Sequence, residues 1–375
     1  AFSFKDAFLA LLFLILMPPF FVWSSSGMET MLYTYLLFAL YRALFFNKSN
    51  AAIAVLVLAL LTVRFESIAW IAGYAFLYRF FNRDYRKEKL LFFILFSISS
   101  FFLLELWRIF YFKDIMPNTA YAKTGFSLLL LKRGLNYIIV FLLTFPVTFL
   151  LFPAALKLLK EKKSFRLWPP FLIALSFWGY SVAVGGDFMT MGRFLVPSLP
   201  FLAIIFVYYF RTPVKKVFLS LLIFLSFLPA FNKGVVPRKV LKKFHFRWNN
   251  KFFRTEYEQW QYMRRNTYRW TVLGNFLKER YKPEDSLVRG AIGAVGYFSG
   301  MKLYDKAGLT NRFVSKRELP KRLRSPGHDK SVDESYFLRY KPTLLSVNIY
   351  LVKPKIKKKI KQFFDKGQVH YNDLV

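Results

Sequence analysis

Seven charged side chains stand at the edges of long apolar runs in this 375-residue chain: Glu29, Arg64, Glu66, Asp114, Lys123, Asp187 and Arg193. An ionised group at such a margin is expensive unless it is paired or used, so these residues are the natural candidates for chemistry. Taken singly, each reads equally well as structural, whether an interfacial anchor or half of an internal ion pair, and as functional. Their grouping into a few short polar motifs suggests one shared polar site. Asp187 follows Gly185-Gly186, where bare backbone permits close approach. It could accept a hydroxyl proton, bind a cation or pair with Arg193. Pro117-Asn118-Thr119 reads as a turn. His328, in the loop-like run Pro326-Gly327-His328-Asp329-Lys330, reads as structural or solvated more readily than catalytic.

The elements that must position these residues are apolar. Hydrophobic residues make up 55% of the chain and Phe alone numbers 47. The pattern predicts about nine membrane segments, near 7–23, 29–46, 51–63, 67–81, 90–112, 135–156, 167–184, 194–210 and 216–231. The expected fold is a polytopic α-helical membrane domain over residues 1–232, followed by a basic, extracytoplasmic α/β domain over 233–375. The third and fourth segments are too short to cross alone, and are expected to be broken halves meeting at depth around Arg64 and Glu66.

Charge gives the membrane domain a direction. The loops NRDYRKEK, LKEKKSFR and RTPVKK are rich in Lys and Arg and face the cytoplasm by the positive-inside rule. The opposite connections hold the polar motifs, and the tail falls on their side. Lys132 and Arg133 are exceptions, expected on a helix lying along the interface. A net charge of +35 would suggest nucleic acid in a soluble protein. Here the cations sit in short loops and in the tail, which carries 33 Lys or Arg against 12 Asp or Glu from Lys233 onward. Anionic lipids and phosphate-bearing lipid substrates are the better-matched partners, not nucleic acid. With no cysteine, disulfides and thiolate chemistry are excluded.

Four motifs, in order, carry a resemblance: WSSSGMET (23–30), LTVRFES (61–67), WRIFYFKDIMPNTAYAK (107–123) and GGDFMTMGRFLVPSLP (185–200). A fifth piece, GAIGAVGYFSGMKLYDKAGLTN (290–311), is followed by PGHDK. The chain resembles the GT-C superfamily of integral-membrane glycosyltransferases, in particular the bacterial group similar to terminal arabinofuranosyltransferases. The resemblance implies transfer of a sugar from a polyprenyl-phosphate donor to an envelope glycan or lipid acceptor, at the outer face of the bacterial cytoplasmic membrane. It implies cations that meet the charge developing on the leaving phosphate, for which Arg193, Lys123 and Arg64 are the candidates. Glu29, Glu66, Asp114, Asn118, Tyr121, Asp187 and His328 are then the candidates for sugar or acceptor contacts.

The resemblance also implies a catalytic aspartate in the first outer loop, which takes the acceptor's proton. No such motif precedes WSSSGMET, where the earliest carboxylate is Asp6. The expectation is that the chain is truncated at its N-terminus and that its catalytic residue is not among those given. RFES in place of the superfamily's RPEG leaves the turn there less defined. No metal site is evident, although carboxylates could hold Mg2+ loosely beside phosphate. A transporter or flippase of a lipid-linked sugar, or a noncatalytic membrane component of envelope assembly, is the alternative reading.

In the tail, TEYEQWQYMRRNTYRWTVLGNFLKERY reads as a helix, and SLVRG, KLYD and TLLSVNIYLV read as strands. Gly290, Gly293, Gly296 and Gly300 lack the context of a nucleotide-binding fingerprint and read as close packing of small residues. The terminal KPKIKKKIKQFF suits a membrane surface.

Overall fold

Apolar runs with few Gly or Pro residues fold into helices, because in apolar surroundings only local hydrogen bonds satisfy the backbone. The computed structural model describes residues 3–46, 48–123, 125, 127–161, 165–210, 212–247 and 253–345. The chain divides into two units by its contacts: unit 1 holds Ala1–Met116, Phe126–Trp260 and Arg324–Pro326, and unit 2 holds Pro117–Gly125, Gln261–Leu323 and Gly327–Val375. Composition puts the boundary at 232. Contacts put it near 260, because Arg247, Glu256 and Gln259 hydrogen-bond within unit 1.

Unit 1 is helical. It runs through α1 (Phe4–Leu16), α2 (Pro18–Ser24), α3 (Thr30–Phe45), α4 (Asn50–Val63), α5 (Ser67–Phe81) and α6 (Lys87–Phe112). After α7 (Asn118–Lys123), which belongs to unit 2, unit 1 resumes with α8 (Leu128–Thr144), α9 (Leu151–Lys160), α10 (Trp168–Ala183), α11 (Leu199–Tyr209), α12 (Pro213–Phe227) and α13 (Arg238–Lys243). At the centre, α10 packs against α8, α5, α11 and the 3₁₀ turn Arg193–Ser198. Proline sets the breaks, since it has no N–H to donate. Pro18 follows the bend between α1 and α2, which is 69°, and Pro146 follows a bend of 106° between α8 and the segment Pro146–Lys160.

Two helices, α6 and the 19-residue Pro213–Phe231, are long and apolar enough to cross a membrane, and each bent pair would add one if it acts as a single span. The other helices expected to cross are shorter: α3 has 16 residues and α4 has 14. At 1.5 Å per residue these reach about 21–24 Å against a hydrocarbon core of about 30 Å. α6 exposes Leu91, Leu95, Ile98, Phe102, Leu103 and Leu106, an apolar stripe compatible with association with a membrane. Lys89 of the same helix is buried and donates to the carbonyls of Ala43 (3.2 Å) and Lys48 (3.0 Å). It caps the end of α3, where carbonyls lack partners and cations are favoured.

α14 (Glu256–Lys278) begins in unit 1 and ends in unit 2. Unit 2 holds three parallel strands in the order β2-β1-β3: β1 (Ser286–Arg289), β2 (Lys302–Asp305) and β3 (Leu344–Leu345). α15 (Gly293–Ser299) makes the β1-to-β2 crossover that parallel strands require. Leu273, Leu277, Leu287, Val295 and Met301 form its core. The α/β expectation for the tail is met over these residues. The remainder of TLLSVNIYLV and all of KPKIKKKIKQFF lie outside the described residues. Pro117-Asn118-Thr119 differs from expectation: Pro117 leads directly into the six-residue α7, which packs on α16 (Arg312–Ser315). Pro suits the start of a helix, where no N–H partner is needed.

One close approach holds the centre of unit 1. A Cβ on Gly134 of α8 would lie 2.3 Å from the Val182 carbonyl oxygen of α10, so only glycine lets the two backbones meet. Gly134→Ala is expected to destabilise the protein by about 1–3 kcal/mol through overpacking, read as a lower thermal unfolding midpoint in detergent.

Candidate functional site

Five of the ten candidate residues meet within unit 1. Glu29 immediately precedes α3, and Arg64 and Glu66 flank the break between α4 and α5. Arg64 reaches Glu29 Oε1 through Nη2 (2.7 Å) and Nε (3.1 Å), and Glu66 Oε1 through Nη1 (3.1 Å). The RFES turn is tight without proline: the Ser67 N–H donates to the Arg64 carbonyl (3.1 Å) and its hydroxyl to the Leu60 carbonyl (2.8 Å). Arg193 grips Asp187 with two bonds, Nε to Oδ2 (2.6 Å) and Nη2 to Oδ1 (3.1 Å). Its remaining nitrogen, Nη1, faces the Met28 sulfur at 3.8 Å, a weak acceptor.

Arg64 and Arg193 line a single small cavity, walled by Tyr33, Trp70, Phe177, Tyr180 and Phe194. Trp70 and Phe177 stack with centroids 4.7 Å apart and planes 13° apart. The Arg64 guanidinium lies over the Tyr33 ring (5.0 Å), and that of Arg193 over Trp23 (5.6 Å) and Phe194 (5.1 Å). Such a cavity offers planar cationic donors and apolar ring faces side by side, which suits an anionic group attached to a ring with polar edges. Two guanidiniums face three carboxylates, +2 against −3, so the carboxylates here position the arginines rather than leave them as bare charges.

The loop that carries Asp187 and Arg193 is held in an unusual shape. Gly185, Gly186, Met191 and Gly192 all have positive φ, +55° at Met191, a conformation that strains a residue with a side chain. Four residues hold it there. Arg133 of α8 is buried and donates from Nε to the Gly185 carbonyl (3.0 Å). Trp23 Nε1 donates to the Thr190 carbonyl (3.2 Å). Glu256, 4% exposed, accepts from the Met191 N–H and, through its own carbonyl, from the Thr190 hydroxyl (2.5 Å). Arg247 pairs with Glu256 (2.7 Å) and donates from Nη2 to the Met189 carbonyl (2.7 Å).

The remaining candidates lie elsewhere. Asp114 is in unit 1 and caps the Ile115 N–H (3.0 Å), away from the lining of this cavity. Asn118, Tyr121, Lys123 and His328 belong to unit 2. There Asn118 Oδ1 accepts from the Ser315 hydroxyl (3.3 Å), and Lys316 lies over the Tyr121 ring (4.6 Å). Lys330 donates to the carbonyls of Tyr121 (2.6 Å) and Ser315 (3.0 Å), and burial pushes its ammonium below the ordinary lysine range. The segment 117–123 is thereby fastened to residues some two hundred positions later. Among the described residues, no group of three or more His, Cys, Asp or Glu stands where it could hold a metal ion.

Sequence reasoning missed Arg133, Arg247 and Glu256. Arg133 was expected on an interfacial helix, yet it is a buried residue of α8 that ties down the Gly185 turn. A cation beside an apolar run looks the same in both settings, and only the approach of α10 to α8 decides between them. Glu256 and Arg247 gave no signal, being ordinary charges in a charged stretch.

Residues 255–371 match a family described as a domain of unknown function, DUF8728. No curated protein and no solved structure matches the chain. The matched region begins beside Glu256, at the start of α14.

Removing one partner from a buried ion pair strands the other charge, which costs about 3–5 kcal/mol. Glu256→Gln is therefore expected to lower the unfolding midpoint markedly. The double variant Glu256→Gln with Arg247→Met should recover part of that loss, as a double-mutant cycle on thermal unfolding in detergent will show.

Proposed function

We propose that the chain is a polytopic membrane glycosyltransferase of the GT-C type in the bacterial cytoplasmic membrane. It moves a sugar from a polyprenyl-phosphate donor to an extracytoplasmic acceptor, with its C-terminal domain outside the cytoplasm. One observation carries the reading: Arg64 and Arg193, from motifs well over a hundred residues apart, line one aromatic-walled cavity. Transfer from a glycosyl phosphate breaks the bond between the anomeric carbon and a phosphate oxygen, and charge builds on the departing phosphate. Fixed guanidiniums aimed at that phosphate stabilise the transition state more than the ground state, which is what lowers the barrier.

Each residue at the cavity then has a physical role. Arg193, held by Asp187 with Nη1 turned toward a thioether, exchanges a weak sulfur contact for a phosphate oxygen when donor binds. Arg64, fixed between Glu29 and Glu66, supplies positive charge nearby. The rings of Trp70, Phe177 and Tyr180 give the sugar a face to lie against. Each of the three carboxylates is engaged by a guanidinium, so we assign them to positioning and to sugar hydroxyls. Proton removal from the acceptor is assigned to none of them.

The test is turnover of a lipid-linked sugar donor by the full-length protein in detergent. Arg193→Ala is expected to lower kcat about 10²–10³-fold, the usual loss for one donor of this kind. Arg193→Lys should remain well below wild type, because it keeps the charge and loses the planar fork. Unchanged donor turnover in Arg193→Ala would reject the assignment, and movement of intact donor across vesicles without sugar transfer would favour a flippase.

A further inference from the structure

Two buried hydroxyls stand at the cavity of Arg64 and Arg193. Thr30 and Tyr33 both line it and are only 2% and 1% exposed, yet Thr30 Oγ1 and Tyr33 Oη have no hydrogen-bond partner among the described residues. A hydroxyl enclosed in this way is a net cost to the fold. The two residues are three apart on α3 and so share one face of it. One turn along, Thr34 shows the ordinary arrangement, its hydroxyl donating to the Thr30 carbonyl (2.7 Å). The Ser67 hydroxyl beside Tyr33 is likewise committed as a donor, to the Leu60 carbonyl (2.8 Å).

The groups around these hydroxyls decide what can complete them. Glu29, Glu66 and Asp187 are each engaged by a guanidinium. Arg193 Nη1 faces the Met28 sulfur at 3.8 Å, a weak acceptor, and a guanidinium N–H can only donate. Three donors without a strong acceptor therefore border one small space. That space is about the size of a single water molecule, which is room for one ligand oxygen with the rest of the ligand outside. The Tyr33 ring is held edge-on to Trp70 and Phe177, with centroids 6.4 and 6.5 Å away, so its hydroxyl is fixed before anything binds.

We infer that Thr30, Tyr33 and Nη1 of Arg193 form a pocket for one oxygen of a phosphate ester. A phosphate oxygen accepts hydrogen bonds and has no proton of its own to place, so it matches a surplus of donors. A sugar hydroxyl would bring one more donor to the same space. The two hydroxyls thereby extend the phosphate contact beyond the arginines, and their lack of a partner in the free protein is a cost to the fold that binding recovers. Donors fixed in advance at a departing phosphate also meet the charge that develops there without reorganising. The inference deepens the reading above and rests on it only for the source of the phosphate, a lipid-linked donor.

The experiment uses the full chain in a neutral detergent and takes two readings, the thermal unfolding midpoint without ligand and the farnesyl phosphate concentration that half-saturates its rise. Thr30→Val and Tyr33→Phe each remove one hydroxyl and keep the shape of the side chain. Without ligand, each is expected to leave the midpoint level or raise it by about 1–3 °C, because an unpartnered buried group is gone. With ligand, each should raise the half-saturating concentration about tenfold, the loss expected for a hydrogen bond to a charged group. Thr30→Ser should bind within about twofold of wild type, since it keeps the hydroxyl. Thr34→Val, which removes a hydroxyl bonded within its own helix, should also stay within about twofold. If Thr30→Val does not fold, Tyr33→Phe decides by the same two readings. A lower midpoint in both variants without ligand would mean that the hydroxyls serve the fold, and would overturn the inference. So would unchanged binding in both, which would leave a buried water as their partner, or farnesol acting at the same concentration as its phosphate. No response of the wild type to farnesyl phosphate or inorganic phosphate would overturn it as well. Inorganic phosphate acting at the farnesyl phosphate concentration, with the same losses, would support the pocket and reject the lipid-linked donor.

Discussion

Burying charge in an apolar helical body is the constraint on which the rest of unit 1 depends. Arg193 and Asp187 lie almost wholly out of solvent, and either alone would be too costly to keep there. They are kept because they are bonded at two points, and because the loop between them is forced into a shape that lets them meet. That shape requires glycines at 185, 186 and 192 and a strained backbone at Met191. The strain in turn needs outside support, which Arg133, Trp23 and the Arg247–Glu256 pair provide. The site is therefore held from several sides at once: α8, α2, and the start of α14.

The same constraint recurs at the other charges of the unit. Arg64 is placed between Glu29 and Glu66, and Asp6 meets Lys216 of α12 at 2.9 Å. Glu105 pairs with Arg108 one turn along α6 (2.9 Å), and the Arg108 guanidinium covers Phe65, between the two site residues of the α4–α5 break. Pairing gives each of these groups a partner and fixes its direction. A cavity built this way presents guanidiniums that need not reorganise when an anion arrives, which is the physical content of preorganisation.

Unit 2 uses the opposite economy. Its core is small, made of a three-stranded sheet with Leu273, Leu277, Leu287, Val295 and Met301, and it gathers a distant piece of chain to complete itself. Asn118 and Tyr121 are bound by Ser315 and Lys330, so residues read as substrate contacts also have a structural task. The matched family of residues 255–371 covers much of this unit but not its segment 117–125.

Much of the local structure was legible in the sequence. Apolar blocks located most of the helices, and short strand-like runs located the strands at 286–289 and 302–305, whereas the blocks 7–23 and 135–156, each of which reads as one segment, are bent in the structure beside Pro18 and Pro146. Charges at the block margins singled out seven residues, because isolated charge beside apolar chain has few uses; Glu29, Arg64, Glu66, Asp187 and Arg193 come together in unit 1, while Asp114 and Lys123 lie elsewhere. Tertiary structure alone decided which of them share a cavity, that Arg133 is a buried brace rather than an interfacial anchor, and that Glu256 holds a loop 65 residues earlier. The physical reason is that helix formation and bending are set by neighbours along the chain. The partner of a buried charge is set by which helices can approach, and that depends on side-chain volumes across the whole unit, down to the single missing Cβ of Gly134.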